Sequence, residues 1–159
     1  MTDDSLLVEV ELFSGLGPDD LAAVIESAED RAFQRGDVIF TEGDESTELF
    51  VVTSGRVAIA NKSIDGRESV IALMERGDLF GEMPLFDGLT RSAEARALEP
   101  SEVMAIPYAL LKGLYEAQPT LLWSVVALLA GRLRTTDEAL ADSVFLDVTG
   151  RTAKRLLEL

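Results

Sequence analysis

Residues able to hold an anion stand close together in "FGEMPLFDGLTRSAEARA", residues 80–97. Gly81 and Glu82 open the stretch, and ten residues after the glycine come Arg91, Ser92 and Ala93. Gly81 lets the backbone approach a ligand where a side chain would clash. Arg91 offers a planar, permanently charged donor fork for two phosphate oxygens, and Ser92 adds a hydroxyl and an amide. Residues 82–87 are predicted to form one helical turn with its amides toward the anion. Glu82 repels phosphate but accepts from a sugar hydroxyl, so one short cassette reads sugar and phosphate together. The competing expectation is an internal Glu82–Arg91 ion pair that closes the loop without any ligand, at the desolvation cost of a buried pair.

The remaining composition narrows the chemistry. The 159 residues carry a formal net charge of −15 and contain neither cysteine nor histidine. Without cysteine there are no disulfides, thiolate nucleophiles or cysteine-held iron–sulfur clusters. Without histidine there is no Ser-His-Asp or Cys-His machinery and no histidine-held zinc or haem. An acidic surface repels phosphate backbones, so this chain alone is a poor partner for nucleic acid. The apolar fraction of 47% suffices for a core, and no apolar run approaches the length of a bilayer span. The start, MTDDSLLVEVE, lacks the order of a signal peptide. The expectation is a non-enzymatic protein of the reducing cytoplasm, with no metal and no membrane contact.

The elements that must position the cassette come in three blocks. Residues 5–30 read as helical: in "GPDDLAAVIESAED" Pro18 suits a first helical position, Asp19 and Asp20 suit the dipole, and Leu21, Val24, Ile25 and Ala28 share a face. From residue 31 the period changes. Glycine turn signals at 36, 43, 55, 66 and 77 separate "VIF", "ELFVVTSG", "RVAIA" and "SVIAL", with "SEVMAI" following later, as in an antiparallel sandwich or small barrel. The acidic loop "TEGDESTE" lacks the ligand pattern of a calcium loop and reads as a solvated hairpin tip. Pro107 then begins a helix interrupted near Gln118 and Pro119, after which a long helix starts. Its residues Leu122, Val126, Leu129, Leu133, Thr136 and Leu140 form a heptad seam with one polar member. Arg132, Arg134, Glu138 and Asp142 are assigned to the opposite face, and the seam is expected either to pack on its own domain or to self-associate. Asp147 is expected to cap a further helix, in a basic segment that stops at Leu159 as if cut from something longer.

At these residues a family resemblance enters. The cassette resembles the phosphate-binding cassette of cyclic-nucleotide-binding domains, F-G-E, a short apolar helix, then R-[S/T/A]-A. "SGRVAI", "DGRES" and "RGDLFGE" look like the strands of their β-roll. "RLRTTDEALADSVFLDVTGRTAKRLLEL" resembles the dimerisation helix and hinge of the Crp/Fnr transcription regulators, the cyclic-AMP receptor proteins among them. The resemblance implies an α+β, mainly β protein: a β-roll or jelly roll flanked by short N-terminal helices, over residues 1–118. A dimerisation helix over 119–147 would make a homodimer, and 148–159 would be a hinge and the start of a DNA-binding domain missing here. It further implies that Arg91 and Ser92 hold the cyclic phosphate of cyclic AMP with the Gly81 and Glu82 backbone, and that the Glu82 carboxylate takes the ribose 2′-hydroxyl. Thr136 matches a threonine that meets the adenine amino group. Asp137 stands where the family usually has a serine reaching from the partner subunit, and Ile59, Ile71 and Met74 fall where apolar residues wall the base. Signalling would be a population shift carried by the long helix to the hinge at Asp147–Gly150. A regulatory domain of an enzyme or channel, a histidine-less cupin, and a regulator with a vestigial or different effector pocket are the alternatives.

Overall fold

The computed structural model describes residues 4–158, and the side chains of residues 5–142. Its layering follows from strands whose both faces are apolar. In β3 (Glu48–Ser54), Leu49 and Val51 point one way, Phe50 and Val52 the other, and all four are buried. The antiparallel neighbour β8 (Ser101–Pro107) repeats the arrangement, with Met104 and Ile106 against Val103 and Ala105. Phe50, Val52, Val103 and Ala105 join Val57, Phe80 and Ala95 in the interior of the roll. Leu49, Val51, Met104 and Ile106 belong to a second core that the helices cover.

The roll consists of two four-stranded sheets. One has the order β1 (Glu29–Phe33), β8, β3, β6 (Leu79–Phe80); the other runs β2 (Val38–Phe40), β7 (Glu94–Ala97), β4 (Val57–Lys62), β5 (Glu68–Met74). Every pairing is antiparallel. The expected α+β, mainly β architecture is therefore present. The helical layer comprises α1 (Asp4–Glu9), α2 (Pro18–Ser27), α4 (Tyr108–Ala117) and the first turns of α5 (Leu122–Glu158), while α3 (Met83–Asp87) lies inside the cassette.

Two expectations need correction. The helical reading of residues 5–30 ends at Ser27, because Glu29–Phe33 pairs with β8 as an edge strand whose exposed residues carry no clear period. Strand β6 falls in "RGDLFGE", as expected, and the short β7 closes the cassette. Asp147 begins no new helix: the backbone is helical from Leu122 to Glu158, with Asp147–Gly150 inside it. That segment has no proline, and one mid-helix glycine costs about 1 kcal/mol, too little to end a long helix. The side chains of the expected hinge lie outside the described residues. By contrast the break at Gln118 is present, with a 3₁₀ turn over Pro119–Leu121.

Two apolar stripes run along the start of α5. Leu121, Val125 and Leu128 pack into the helical core, and Arg132 continues their line. The seam residues Leu122, Val126, Leu129, Leu133 and Leu140 are 42–62% exposed. Packing on its own domain thus uses the first stripe and leaves the heptad seam open. Among the described residues no helix is long and apolar enough to cross a membrane.

Candidate functional site

Gly81 follows β6 at a φ of 77°, a region that side chains rarely adopt. A Cβ there would lie 2.8 Å from Arg91 Nη1 and 3.2 Å from the Phe50 ring. The glycine is what lets the arginine lie against the backbone. Arg91 is 5% exposed, and its guanidinium stacks 4.0 Å from the Phe40 ring centroid. Nη1 donates to Gly81 O at 2.6 Å and to the Tyr108 hydroxyl at 3.1 Å, and Nη2 donates to Glu48 O at 2.8 Å. Tyr108 in turn donates to Gly81 O. The acidic loop expected to be a solvated tip braces this arginine: Arg91 N donates to Asp44 O and Gly43 N donates to Arg91 O, both at 2.8 Å.

A guanidinium has five N–H donors, and these contacts use three of them. The Nε–H, buried and without a partner, and one Nη2–H remain. No carboxylate forms an ion pair with Arg91 among the described residues, so a cation sits in the roll held only by neutral dipoles. Burial pushes its pKa down, partly opposed by Tyr108 and by the more distant Glu48 and Asp44. Burial pushes the pKa of the Tyr108 hydroxyl up, partly opposed by Arg91.

The alternative Glu82–Arg91 pair does not form. Glu82, 1% exposed, flanks the N-terminus of α3 and pairs with Arg132 of α5 instead. Arg132 also donates from Nη2 to Leu79 O at 2.8 Å. The ion pair joins Arg132 Nη1 to Glu82 Oε1. Burial pushes the Arg132 pKa down, opposed by Asp78. The sequence reading put Arg132 on the outer face of the helix. The structure turns it inward, and its place after Leu121, Val125 and Leu128 is the signal that would have found it.

A cavity of about 90 Å³ lies between these groups. Gly81, Glu82, Arg91 and Ser92 line it, with Ile59, Met74 and Arg132 as walls. Ile71 does not line it: Ile59 pairs with Ala72, so Ile59, Ala72 and Met74 share one face of the hairpin and Ile71 takes the other, 57% exposed. Thr136 and Asp137 also stand outside, exposed on α5 one turn beyond Arg132, with the Thr136 hydroxyl donating to Arg132 O at 3.0 Å. Small-molecule sites commonly span about 300 Å³ or more. This cavity has room for a phosphate and part of a sugar, and Arg132 separates it from a neighbouring cavity of about 330 Å³ bounded by Glu9, Gly77 and Leu128.

Residues 30–118 match the family of cyclic nucleotide-binding domains. A CRP-like cAMP-activated global transcriptional regulator of Mycobacterium tuberculosis is 33% identical over 156 residues, 98% of this chain and 70% of that protein. The crystal structure of the catabolite activator protein of Thermus thermophilus shares 36% identity at a TM-score of 0.71, over 82% of this chain and 61% of that one. A cAMP-bound PfPKA-R structure shares 26% identity at a TM-score of 0.66, over 69% of this chain and 39% of that one.

Proposed function

The chain belongs to the Crp/Fnr family of cyclic-nucleotide-binding regulators, and from that premise we propose that it senses cyclic AMP in the roll and relays occupancy through α5. The observation that carries this reading is Arg91, a buried cation with no carboxylate and with Nε–H and one Nη2–H still free. Two oxygens of a cyclic phosphate accept from that fork, with Ser92 beside them. The ribose 2′-hydroxyl donates to the Glu82 carboxylate, which lines the cavity. The base lies against Ile59 and Met74 and meets Thr136, and it requires Arg132 to give way. Two copies pair through the exposed seam within residues 119–147, which brings Asp137 of one copy toward the pocket of the other. A DNA-binding domain attached beyond the helix would receive the signal, as a shift between two arrangements of the paired helices. In this reading the protein works in the cytoplasm, is not an enzyme and touches no membrane.

Calorimetric titration with cyclic AMP and cyclic GMP tests the proposal. Cyclic AMP is expected to bind with one site per chain and more tightly than cyclic GMP. No heat and no thermal shift with either nucleotide, in a folded protein, would refute it. Tighter binding of cyclic GMP would keep the pocket and reassign the base contact to Asp137, whose carboxylate accepts from the donors of a guanine edge. The likeness to PfPKA-R supports a second reading, a regulatory domain for an attached enzyme; whether the gene encodes a DNA-binding or a catalytic domain alongside these residues distinguishes the two.

A further inference from the structure

We propose that Tyr108 is a positioning residue for the anion site: its hydroxyl fixes the rotation of the Arg91 guanidinium that turns the unused Nε–H and Nη2–H toward the cavity. The inference rests on reading that cavity as a cyclic-nucleotide site. Gly81 O and Glu48 O hold Arg91 through its two terminal nitrogens. The Phe40 ring sets the plane of the guanidinium. The Tyr108 hydroxyl takes the second Nη1–H and, as a third hydrogen bond, limits rotation within that plane.

Tyr108 is itself immobilised. It is 6% exposed within the helical core, and its backbone N donates to Thr47 O at 2.8 Å, which ties the start of α4 to the start of β3. Its hydroxyl proton goes to Gly81 O, leaving a lone pair for Arg91. That carbonyl already accepts from Arg91 Nη1 at 2.6 Å, so it does not need the tyrosine for its own satisfaction. The hydroxyl is therefore placed for the arginine. Phenylalanine would fill the same volume and leave one Nη1–H loose, returning to Arg91 the freedom that the ligand must then remove.

The test compares the parent with Tyr108→Phe, using cyclic AMP and its two phosphorothioate epimers, in which sulfur replaces one or the other exocyclic oxygen. Returning that freedom to Arg91 predicts up to about a tenfold weaker cyclic AMP affinity, and the ratio of affinities for the two epimers should move toward one. In an Arg91→Lys background the same substitution should change affinity little, because a lysine has no fork to orient. A purely structural tyrosine would weaken both epimers alike in either background, and that result would overturn the inference while leaving the nucleotide site intact. A parent that binds no cyclic nucleotide would overturn the site reading and this inference with it. Should the variant fail to fold, nitrogen-15 spectra of the unliganded parent decide: separate Arg91 Nη signals support a clamped guanidinium, and one averaged signal refutes it.

Discussion

Arg91 and Arg132 both line the same cavity, one from the loop between α3 and β7 and one from the long helix, and the partners they find differ in kind. Arg91 is buried among two carbonyls, a phenol and an aromatic face, with no carboxylate. Arg132 is half-buried against the carboxylate of Glu82 and one carbonyl. A cation surrounded by neutral dipoles keeps nearly all its attraction for an incoming anion, and low dielectric strengthens it. A cation already paired has little net field to offer; what it provides is a tie between α5 and the floor of the pocket. In the proposed reading the Arg91 side supplies affinity and the helix side supplies coupling, though both use the same residue type.

Removing either arginine separates the two roles. Arg91→Ala is expected to weaken cyclic AMP binding by about a hundredfold or more, read by calorimetry, because a bidentate charged contact is lost. If Arg132→Ala cost more affinity than that, the assignment of roles would be reversed. On the outer face of the same helix, Leu129→Asp with Leu133→Asp should raise the dissociation constant of a dimer by about a hundredfold, since each buried charge is costly. Sedimentation reads this, and the chain should stay folded because Leu121, Val125 and Leu128 still hold α5. A monomeric parent would refute the seam as an interface.

Smaller effects sharpen the comparison. Arg132→Gln leaves the Glu82 carboxylate buried without its cation, and urea unfolding of the unliganded protein should show a loss of about 1–2 kcal/mol, modest because Arg132 is partly exposed. Adding Glu82→Gln should restore much of that loss. The smallest effect concerns a phenol that contrasts with Tyr108. Tyr115 is buried with no hydrogen-bond partner, and burial pushes its pKa up to about 12. The unfolded chain ionises this group near 10, so the unfolded state binds fewer protons between about pH 10 and 12, and stability falls as pH rises through that window. Tyr115→Phe should flatten that slope, leave nucleotide binding unchanged, and alter stability at neutral pH by less than about 1 kcal/mol.

Much of the roll was legible because its strands are short and punctuated. "ELFVVTSG", "RVAIA" and "SEVMAI" became β3, β4 and β8, for β-branched runs between turns carry their structure locally. The interleaved order β1–β8–β3–β6 was not legible, since it depends on pairings between residues far apart in the chain. Within the site, Gly81, Glu82, Arg91 and Ser92 stood out because a loop motif compresses them into a few positions. Tyr108 and Arg132 did not, because each lies in a helix where the pattern of neighbours describes packing and says nothing of what the polar end will touch. Ile71, three residues along the strand from Met74, falls on the other face of the hairpin and outside the lining of the cavity.

Because β3 gives Phe50 and Val52 to one core and Leu49 and Val51 to the other, it is a shared wall. A wall common to two rooms cannot be kept while one room is demolished. Trimming the chain after Ala117 to obtain a minimal sensor would strip Leu121 and Val125 from the second core and loosen the strand that carries the Glu48 carbonyl under Arg91. An engineered indicator derived from this protein therefore needs the opening turns of the long helix as part of its smallest usable unit, even where no reporter is attached to them.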